Sequence, residues 1–251
     1  MSTGIFGKLV TDGLEESSDR LGGFGAVDTA IYIATIKALF AGQSTGGATS
    51  VTLIADLGSN KEYRETFYVT NKNGENFFIN KNDKLKKIPL PGFTVVDDIC
   101  LIATGEPLSA QQTEEKVINL YDFEAKKELP KAVQMLMGCV GQKVALGIVK
   151  QIENKNEKQG DEYVPTAETK EVNVVEKVFH PELKITVAEA RNGQNEAKFW
   201  EAWDKKNKGE TRDKRKLKDG QGGSSAPPKA GNKSTPTPAA GQPARKSLFS
   251  K

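Results

Sequence analysis

The sequence predicts a mainly β fold with inserted helices, and two features of the sequence favour it. Long runs rich in Ile, Val and Thr occur at residues 29–41 and 50–57, and such runs are typical of strands. Apolar residues with helical spacing interrupt this pattern at residues 93–105 and again at 195–209. One helix is therefore expected partway through the strands and another at the end of the folded chain.

The first half of the chain contains a turn signal and a helix end. Residues 61–80 are predicted to form a β-hairpin, because Asn73-Gly74 lies between two runs of aromatic residues. The apolar spacing of residues 93–105 predicts a helix, and Gly105 is well suited to end it. The segment EEKVINLYDF that follows is expected to be a connecting element.

The second half of the chain is predicted to contain a long hairpin and two helices. The strand that begins at residue 143 is expected to pair with residues 170–179, with the segment EYVPTAE between them as a loop. Helices are expected in ITVAEARNG and in residues 195–209, where three aromatic residues form one apolar face. This apolar face would close the folded body.

These elements together indicate a small closed or nearly closed barrel. About five to six strands with a helix inserted partway fit the five-stranded oligonucleotide-binding barrel, the OB-fold. A β-sandwich fits less well, because the middle helix interrupts the run of strands. The predicted fold class is therefore mainly β with helical insertions (α+β), built on an OB-fold barrel.

Charge and composition divide the chain into a body and a tail. Residues 209–251 contain ten Lys and Arg against three acidic residues, whereas residues 1–208 are mildly acidic. The tail segment GQGGSSAPPKAGNKSTPTPAAGQP is mostly Gly, Pro, Ser and Thr, which bury too little apolar surface to offset the entropy of ordering. The predicted organisation is an N-terminal arm at 1–20, a binding domain at 21–208 and a disordered basic tail at 209–251.

The end of the tail, ARKSLFSK, places an apolar pair among cations. With no local core around it, this pair is either inert or a short docking motif. The residues predicted for partner docking are Arg245, Lys246, Leu248, Phe249 and Lys251.

Several classes of function are disfavoured by the sequence. It has no apolar run long enough to span a membrane and no secretory signal at its start. Cys100 and Cys139 are expected to be buried and reduced, and a single histidine, His180, is expected at a turn. Asp97-Asp98 is interpreted as part of a polar face. We expect no metal, cofactor or small-molecule substrate, and no enzymatic activity.

Strand alternation in residues 61–80 separates core aromatics from exposed ones. Tyr63, Phe67 and Phe77 are predicted to face the core, whereas Tyr68 and Phe78 are predicted to lie on a polar face. Exposed aromatic rings among cations are typical of single-stranded nucleic acid binding, because bases stack on rings and cations neutralise phosphates. The predicted single-stranded DNA contacts are Arg64, Tyr68, Lys72, Phe78, Lys84, Lys86 and Lys87.

An alternative stays open for the two exposed aromatics. They could form a cross-strand pair covered by the inserted helix, which would be structural rather than functional. The basic residues at 84–87 could likewise belong to a solvated loop.

Several segments of the chain resemble the single-stranded DNA-binding proteins of tailed bacteriophages. The resemblance lies in GGFGAVDTAIYIATIKAL, KEYRETFYVTNKNGENFFIN, MGCVGQKVALGIVKQ, EYVPTAETKEVNVVEKVFHPE and KFWEAWDKKNKG. It implies an OB-fold protein that coats single-stranded DNA during replication, recombination and repair, in the cytoplasm of the host bacterium. The basic tip departs from the acidic tip of several such proteins, which puts the usual tail partners in doubt.

Two other functions were weighed against this one. A transcription or recombination accessory protein would use the basic tail to recruit a polymerase or other replication, recombination or transcription proteins. A metal-dependent nuclease would need spaced carboxylates, and neither Asp97-Asp98 nor residues 113–124 supply such a motif.

Overall fold

A computed structural model describes residues 25–59, 61–122, 125–160 and 162–216. The strands are β1 Ala30–Gln43, β2 Thr49–Asp56, β3 Glu62–Tyr68, β4 Phe77–Ile79, β5 Lys87–Pro89, β6 Glu114–Asp122, β7 Lys127–Met135, β8 Lys143–Gln159, β9 Glu162–Phe179 and β10 Thr211–Asp213. The helices are α1 Pro91–Thr104, α2 Val187–Arg191 and α3 Lys198–Asn207, with short 3-10 turns at Leu108–Ala110 and Met137–Cys139.

The prediction of a mainly β fold is confirmed by a large, mostly antiparallel sheet. Its central path runs β9-β8-β1-β2-β3, and β1 pairs with β2 on one side and with β8 and β7 on the other. The short strand β10 pairs in parallel with β8, along the same edge of β8 as β1. The predicted pairing of the strand beginning at residue 143 with residues 170–179 is confirmed by the β8–β9 hairpin.

The two edge strands of this path, β3 and β9, meet without pairing through their backbones in the described part of the chain. The side chain of Glu65 bridges them: its carboxylate oxygen Oε2 accepts a hydrogen bond of 2.8 Å from the backbone N–H of Val175. The same oxygen also accepts a hydrogen bond from the hydroxyl group of Tyr63. We call this junction the β3–β9 seam; the sheet is not closed there by a backbone ladder.

Helix α1 packs against β3, β8 and β9 and fills the interior with apolar side chains. It ends as predicted at Gly105, which has a left-handed φ of 79° and donates its N–H to the carbonyl of Leu101. At its start, a Cβ on Gly92 would lie 2.4 Å from the carbonyl oxygen of Tyr68. Only glycine therefore allows the helix to begin this close to the end of β3.

The hairpin of β6 and β7 covers part of the opposite surface of the sheet. Leu120 and Met135 from this hairpin form a second apolar cluster with Ala38 and Phe40 of β1, and Ile54 of β2 packs against it. The segment EEKVINLYDF, expected only to connect other elements, contributes strand β6 of this hairpin. The hairpin leaves β3 uncovered at the edge of the sheet.

Helix α3 closes the fold through its aromatic face, as the spacing predicted. Trp203 is buried, and Phe179 of β9 lies with its ring 5.1 Å from that of Trp200 and 6.4 Å from that of Trp203, centroid to centroid. The folded part continues beyond 208, since β10 follows α3 and Arg212 hydrogen-bonds to Glu176. The predicted boundary at 208 is therefore too early.

The predicted hairpin over residues 61–80 is wrong. Strand β3 pairs with β2, and β4 pairs instead with β5. The turn signal is real but local, because the side-chain oxygen of Asn71 accepts from the N–H groups of Asn73 and Glu75 and closes a turn there. The backbone N–H of Leu90 then bonds to the carbonyl of Asn76, which makes residues 77–89 a separate small hairpin.

One further expectation is wrong, and two others fall outside the residues that the structure describes. The segment EYVPTAE, expected to be a loop, belongs instead to β9, which extends to Glu162 because it pairs with the long strand β8. The predicted arm at 1–20 and the docking motif at Arg245, Lys246, Leu248, Phe249 and Lys251 lie outside the described residues. None of the described helices is both long and apolar enough to cross a membrane.

Candidate nucleic-acid interface

The outer surface of the β2–β3 ladder carries the central part of the predicted site. Register places Ser50 opposite Tyr68, Thr52 opposite Thr66 and Ile54 opposite Arg64. The alternate residues of β3, Tyr63 and Phe67, point into the core as predicted. We refer to the six outward residues, Ser50, Thr52, Ile54, Arg64, Thr66 and Tyr68, as the β2–β3 outer face.

The β3 row of this face is open and chemically available. The side chain of Tyr68 is 55 % exposed, and Arg64 and Thr66 are exposed as well. Within the described residues, the side chains of Arg64 and Tyr68 have no hydrogen-bond, ion-pair or ring partner. The hydroxyl groups of Thr52 and Thr66 bond to each other at 2.9 Å, which fixes the two strands beneath this row. A stacking ring and a guanidinium group thus stand on one rigid surface.

The alternative in which Tyr68 and Phe78 form a cross-strand pair is excluded, because β3 and β4 are not neighbours. Phe78 is 47 % exposed on the small β4–β5 hairpin, where it is opposite Ile88. Phe77, predicted to be in the core, is instead half-buried on the other face of that hairpin. The ammonium group of Lys87 lies 4.2 Å from the centre of the Phe77 ring. Phe78 and Lys87 therefore do not share a face.

The remaining predicted cations lie in two turns. Lys84 and Lys86 are exposed in the turn after β4, on either side of Leu85, which is 95 % exposed. Lys72 is exposed in the turn after β3, where the β1–β2 loop approaches it. A Cβ on Gly47 of that loop would lie 3.7 Å from the Lys72 carbonyl oxygen. The turn that contains Lys72 and the β1–β2 loop are therefore neighbours at the end of β3.

A cavity of about 440 Å³ opens at the β3–β9 seam beside Tyr68. It is lined by Glu65, Thr66, Phe67, Tyr68, Thr70, Asn71, Leu90, Pro91, Gly92, Val95, Val174 and Val175. Burial raises the pKa of Glu65, although its hydrogen bonds from Tyr63 and Val175 act in the opposite direction. The sequence predicts a strand here with one mostly apolar face and one polar face. The cavity arises only because α1 and β9 meet β3 from distant parts of the chain.

The far half of the β8–β9 hairpin is a second feature that the sequence did not reveal. Beyond the pairing of Asn154 with Thr169, the two strands continue as an arm to Gln159 and Glu162. Tyr163 in this arm is 70 % exposed, and Lys155 pairs with Glu168 at 2.9 Å across the two strands. The sequence signal was weak, because residues 155–159 of β8 are all polar and the β9 half of the arm contains Pro165.

The residues considered for catalysis have structural surroundings. The Nδ1 atom of His180 accepts from the N–H groups of Glu182 and Leu183, so this histidine shapes a turn, as expected. Cys100 and Cys139 are buried free thiols, with their sulfur atoms 3.9 Å apart. In the part of the chain that the structure describes, no group of three or more His, Cys, Asp or Glu side chains could hold a metal ion.

Arg212 and Arg215 belong to the basic run RDKRKLK at the start of the predicted tail. The structure gives both side chains carboxylate partners: Arg212 bonds to Glu176, and Arg215 bonds to Asp213. This part of the run is therefore anchored to the body rather than available as a free basic segment.

Comparison with known proteins adds no relative to this picture. No protein-family model, no curated protein and no solved structure matches the chain.

Proposed function

We propose that this protein binds single-stranded DNA across the β2–β3 outer face, without catalysing a reaction. The observation that carries the proposal is the pairing of an open aromatic ring, Tyr68, with an open guanidinium group, Arg64, on one strand of a rigid sheet. Bases stack on aromatic rings with about 1–3 kcal/mol each, largely whatever their identity, and cations neutralise the phosphates.

The order of strand connections supports an OB-fold barrel as the framework of this site. Strands β1, β2 and β3 follow one another, α1 comes next, and β8 then returns to the free side of β1 before β9 pairs with β8. The β4–β5 and β6–β7 hairpins would be insertions on either side of α1. In OB-folds, the face of the second and third strands and the loops after the first and fourth strands bind oligonucleotides.

If the strands correspond to those of an OB-fold in this way, the surrounding segments also have expected roles. The β1–β2 loop with Lys72, and the β8–β9 arm with Tyr163, would border the strand where it enters and leaves the β2–β3 outer face. Lys84 and Lys86 would add phosphate contacts from the β4–β5 hairpin. Coating of single-stranded DNA during phage replication, recombination and repair is the role that we propose for this activity.

Fluorescence anisotropy with labelled oligo-dT and a matched duplex, over a salt series, tests the proposal. We expect tighter binding to the single strand and an affinity that falls as salt rises. Tyr68→Ala should weaken binding about 5- to 100-fold, as loss of one stacking platform requires. Phe199→Ala is the matched control. Phe199 is an aromatic residue of α3 that faces α2, is 39 % exposed and should not contact the DNA.

Two results would contradict the proposal. One is an intact protein that shows no preference for single strands at low salt. The other is an equal effect of Tyr68→Ala and Phe199→Ala on affinity, which would remove the β2–β3 outer face from the site.

A further inference from the structure

The cavity at the β3–β9 seam is continuous with the proposed stacking surface. Tyr68 and Thr66, which point outward from β3, line it together with Glu65 and Phe67, which point inward. The cavity therefore passes around the free edge of β3. Its volume of about 440 Å³ lies within the range of small-ligand sites.

The walls of the cavity are suited to a flat group with apolar faces. Leu90, Pro91 and Val95 from the start of α1 form one side, and Val174 from β9 forms another. Most of the polar side chains in the lining are already engaged: Thr70 accepts from the N–H of Thr49, and Asn71 is used in its own turn. A ligand would therefore find few free polar groups here.

Two polar groups of the lining are exceptions, the hydroxyl group of Tyr68 and one carboxylate oxygen of Glu65. Oε2 of Glu65 accepts both hydrogen bonds that this side chain makes, from Tyr63 and Val175, whereas Oε1 accepts none within the described residues. Among those residues, no fully buried side-chain oxygen or nitrogen lacks a hydrogen-bond partner, so Oε1 must be in contact with solvent. Because Glu65 lines the cavity, Oε1 is available there as an acceptor.

We propose that this cavity takes one unstacked nucleobase that carries an exocyclic amine, with cytosine as the best fit. The amine would donate to Oε1 of Glu65, which is the contact by which Glu and Asp recognise cytosine N4. Thymine has a carbonyl oxygen at the equivalent position, and this oxygen would face the carboxylate without a proton between them. This inference rests on the proposed single-strand function and adds base preference at one position of the strand.

The test compares oligo-dT with the same strand in which one central thymine is replaced by cytosine, or by N4,N4-dimethylcytosine, which lacks both amine protons. We expect the cytosine strand to bind about three- to tenfold more tightly than the other two, as the net gain of one hydrogen bond would give. Adenine at the same position should show a smaller gain, because its two rings fill more of the cavity.

Two variants test whether the preference for cytosine over thymine arises in the cavity. In Glu65→Gln, the amide oxygen can still accept from Tyr63 and Val175, and the amide N–H groups then face the cavity. The order of cytosine and thymine should therefore reverse. Val174→Phe should fill the cavity and abolish the preference for cytosine over thymine. Val117→Phe, at an exposed position of β6, is its matched control.

The outcomes separate this inference from the proposed function. If cytosine, dimethylcytosine and thymine strands bind equally, or if Glu65→Gln leaves their order unchanged, the base-pocket inference fails. The proposed function still stands in that case, provided that oligo-dT binds and Tyr68→Ala weakens it. If no single strand binds at all, the proposed function itself fails.

Discussion

Arg212 donates hydrogen bonds of 2.6 and 3.0 Å to the two carboxylate oxygens of Glu176, which joins the chain after α3 to the last part of β9. Glu176 also accepts from the indole N–H of Trp203 at 2.8 Å, and Arg212 lowers the pKa of Glu176 despite its partial burial. The segment beyond α3 is therefore a structural part of the domain, although its composition is that of a basic tail.

Arg212→Ala should destabilise the protein by about 1–2 kcal/mol, because a partly buried carboxylate would lose its bidentate partner. Urea unfolding at pH 7 measures this change. Arg215→Ala is the matched control, since its pair with Asp213 is more exposed and should contribute little. Equal effects of the two substitutions would show that the contact to Glu176 is not special.

Gly92→Ala should destabilise the protein by about 1–3 kcal/mol, because the new Cβ would lie 2.4 Å from the carbonyl oxygen of Tyr68 and force α1 away from β3. Gly25→Ala, where a Cβ would meet nothing within 4 Å, should leave stability almost unchanged. Thermal and urea unfolding of both variants provide the comparison. A Gly92→Ala protein as stable as the wild type would mean that the helix start moves freely.

Asp98→Asn should make stability less dependent on pH. Burial raises the pKa of Asp98 to about 6, against the opposing charges of Lys177 and Arg191, and Asp97 raises it further. Between the ordinary carboxyl pKa and 6, the folded state binds the proton more tightly than the unfolded state. This group therefore reduces stability as pH rises through that window.

The free energy of unfolding should thus rise by about 1–2 kcal/mol in Asp98→Asn at pH 7 and change little near pH 4. Urea unfolding at several pH values gives the profile. Asp213→Asn should behave oppositely, because Arg215 lowers the pKa of Asp213 to about 2 and any stabilisation from this pair is lost only as pH falls. A difference for Asp98→Asn that does not vary with pH would contradict the assignment.

Arg64→Ala should weaken single-strand binding and reduce its salt dependence. Each phosphate contact to a single strand contributes about 0.7 to the slope of log affinity against log salt, so the slope should fall by roughly that amount. Lys205→Ala, at an exposed position of α3, should leave the slope unchanged. The same anisotropy titrations at four or five salt concentrations measure both slopes.

Local patterns in the sequence predicted what depends on neighbours along the chain. Alternation correctly separated Tyr63 and Phe67 from Tyr68, and helical spacing with Gly105 located α1. The partner of β3 was not predictable in this way. The turn signal at Asn73-Gly74 suggested β4, but β2 offers β3 a longer ladder and a full row of core contacts.

The rest of the candidate site arises from contacts between distant segments. Glu65 looked like an ordinary polar residue on a core face, and only the arrival of Val175, 110 residues later, gives its carboxylate a hydrogen-bond donor and a cavity. Lys87 was expected to meet phosphates, but pairing of β4 with β5 places it over Phe77. Such features depend on tertiary packing rather than on composition or periodicity.

The last described residues are also anchored to a distant part of the fold. The backbone N–H of Lys216 bonds to the side chain of Asn154, 62 residues away in sequence, at the root of the β8–β9 arm. Lys216, the last residue that the structure describes, therefore lies at the root of that arm, and the two β-strands of the arm and the end of the described chain are held together there.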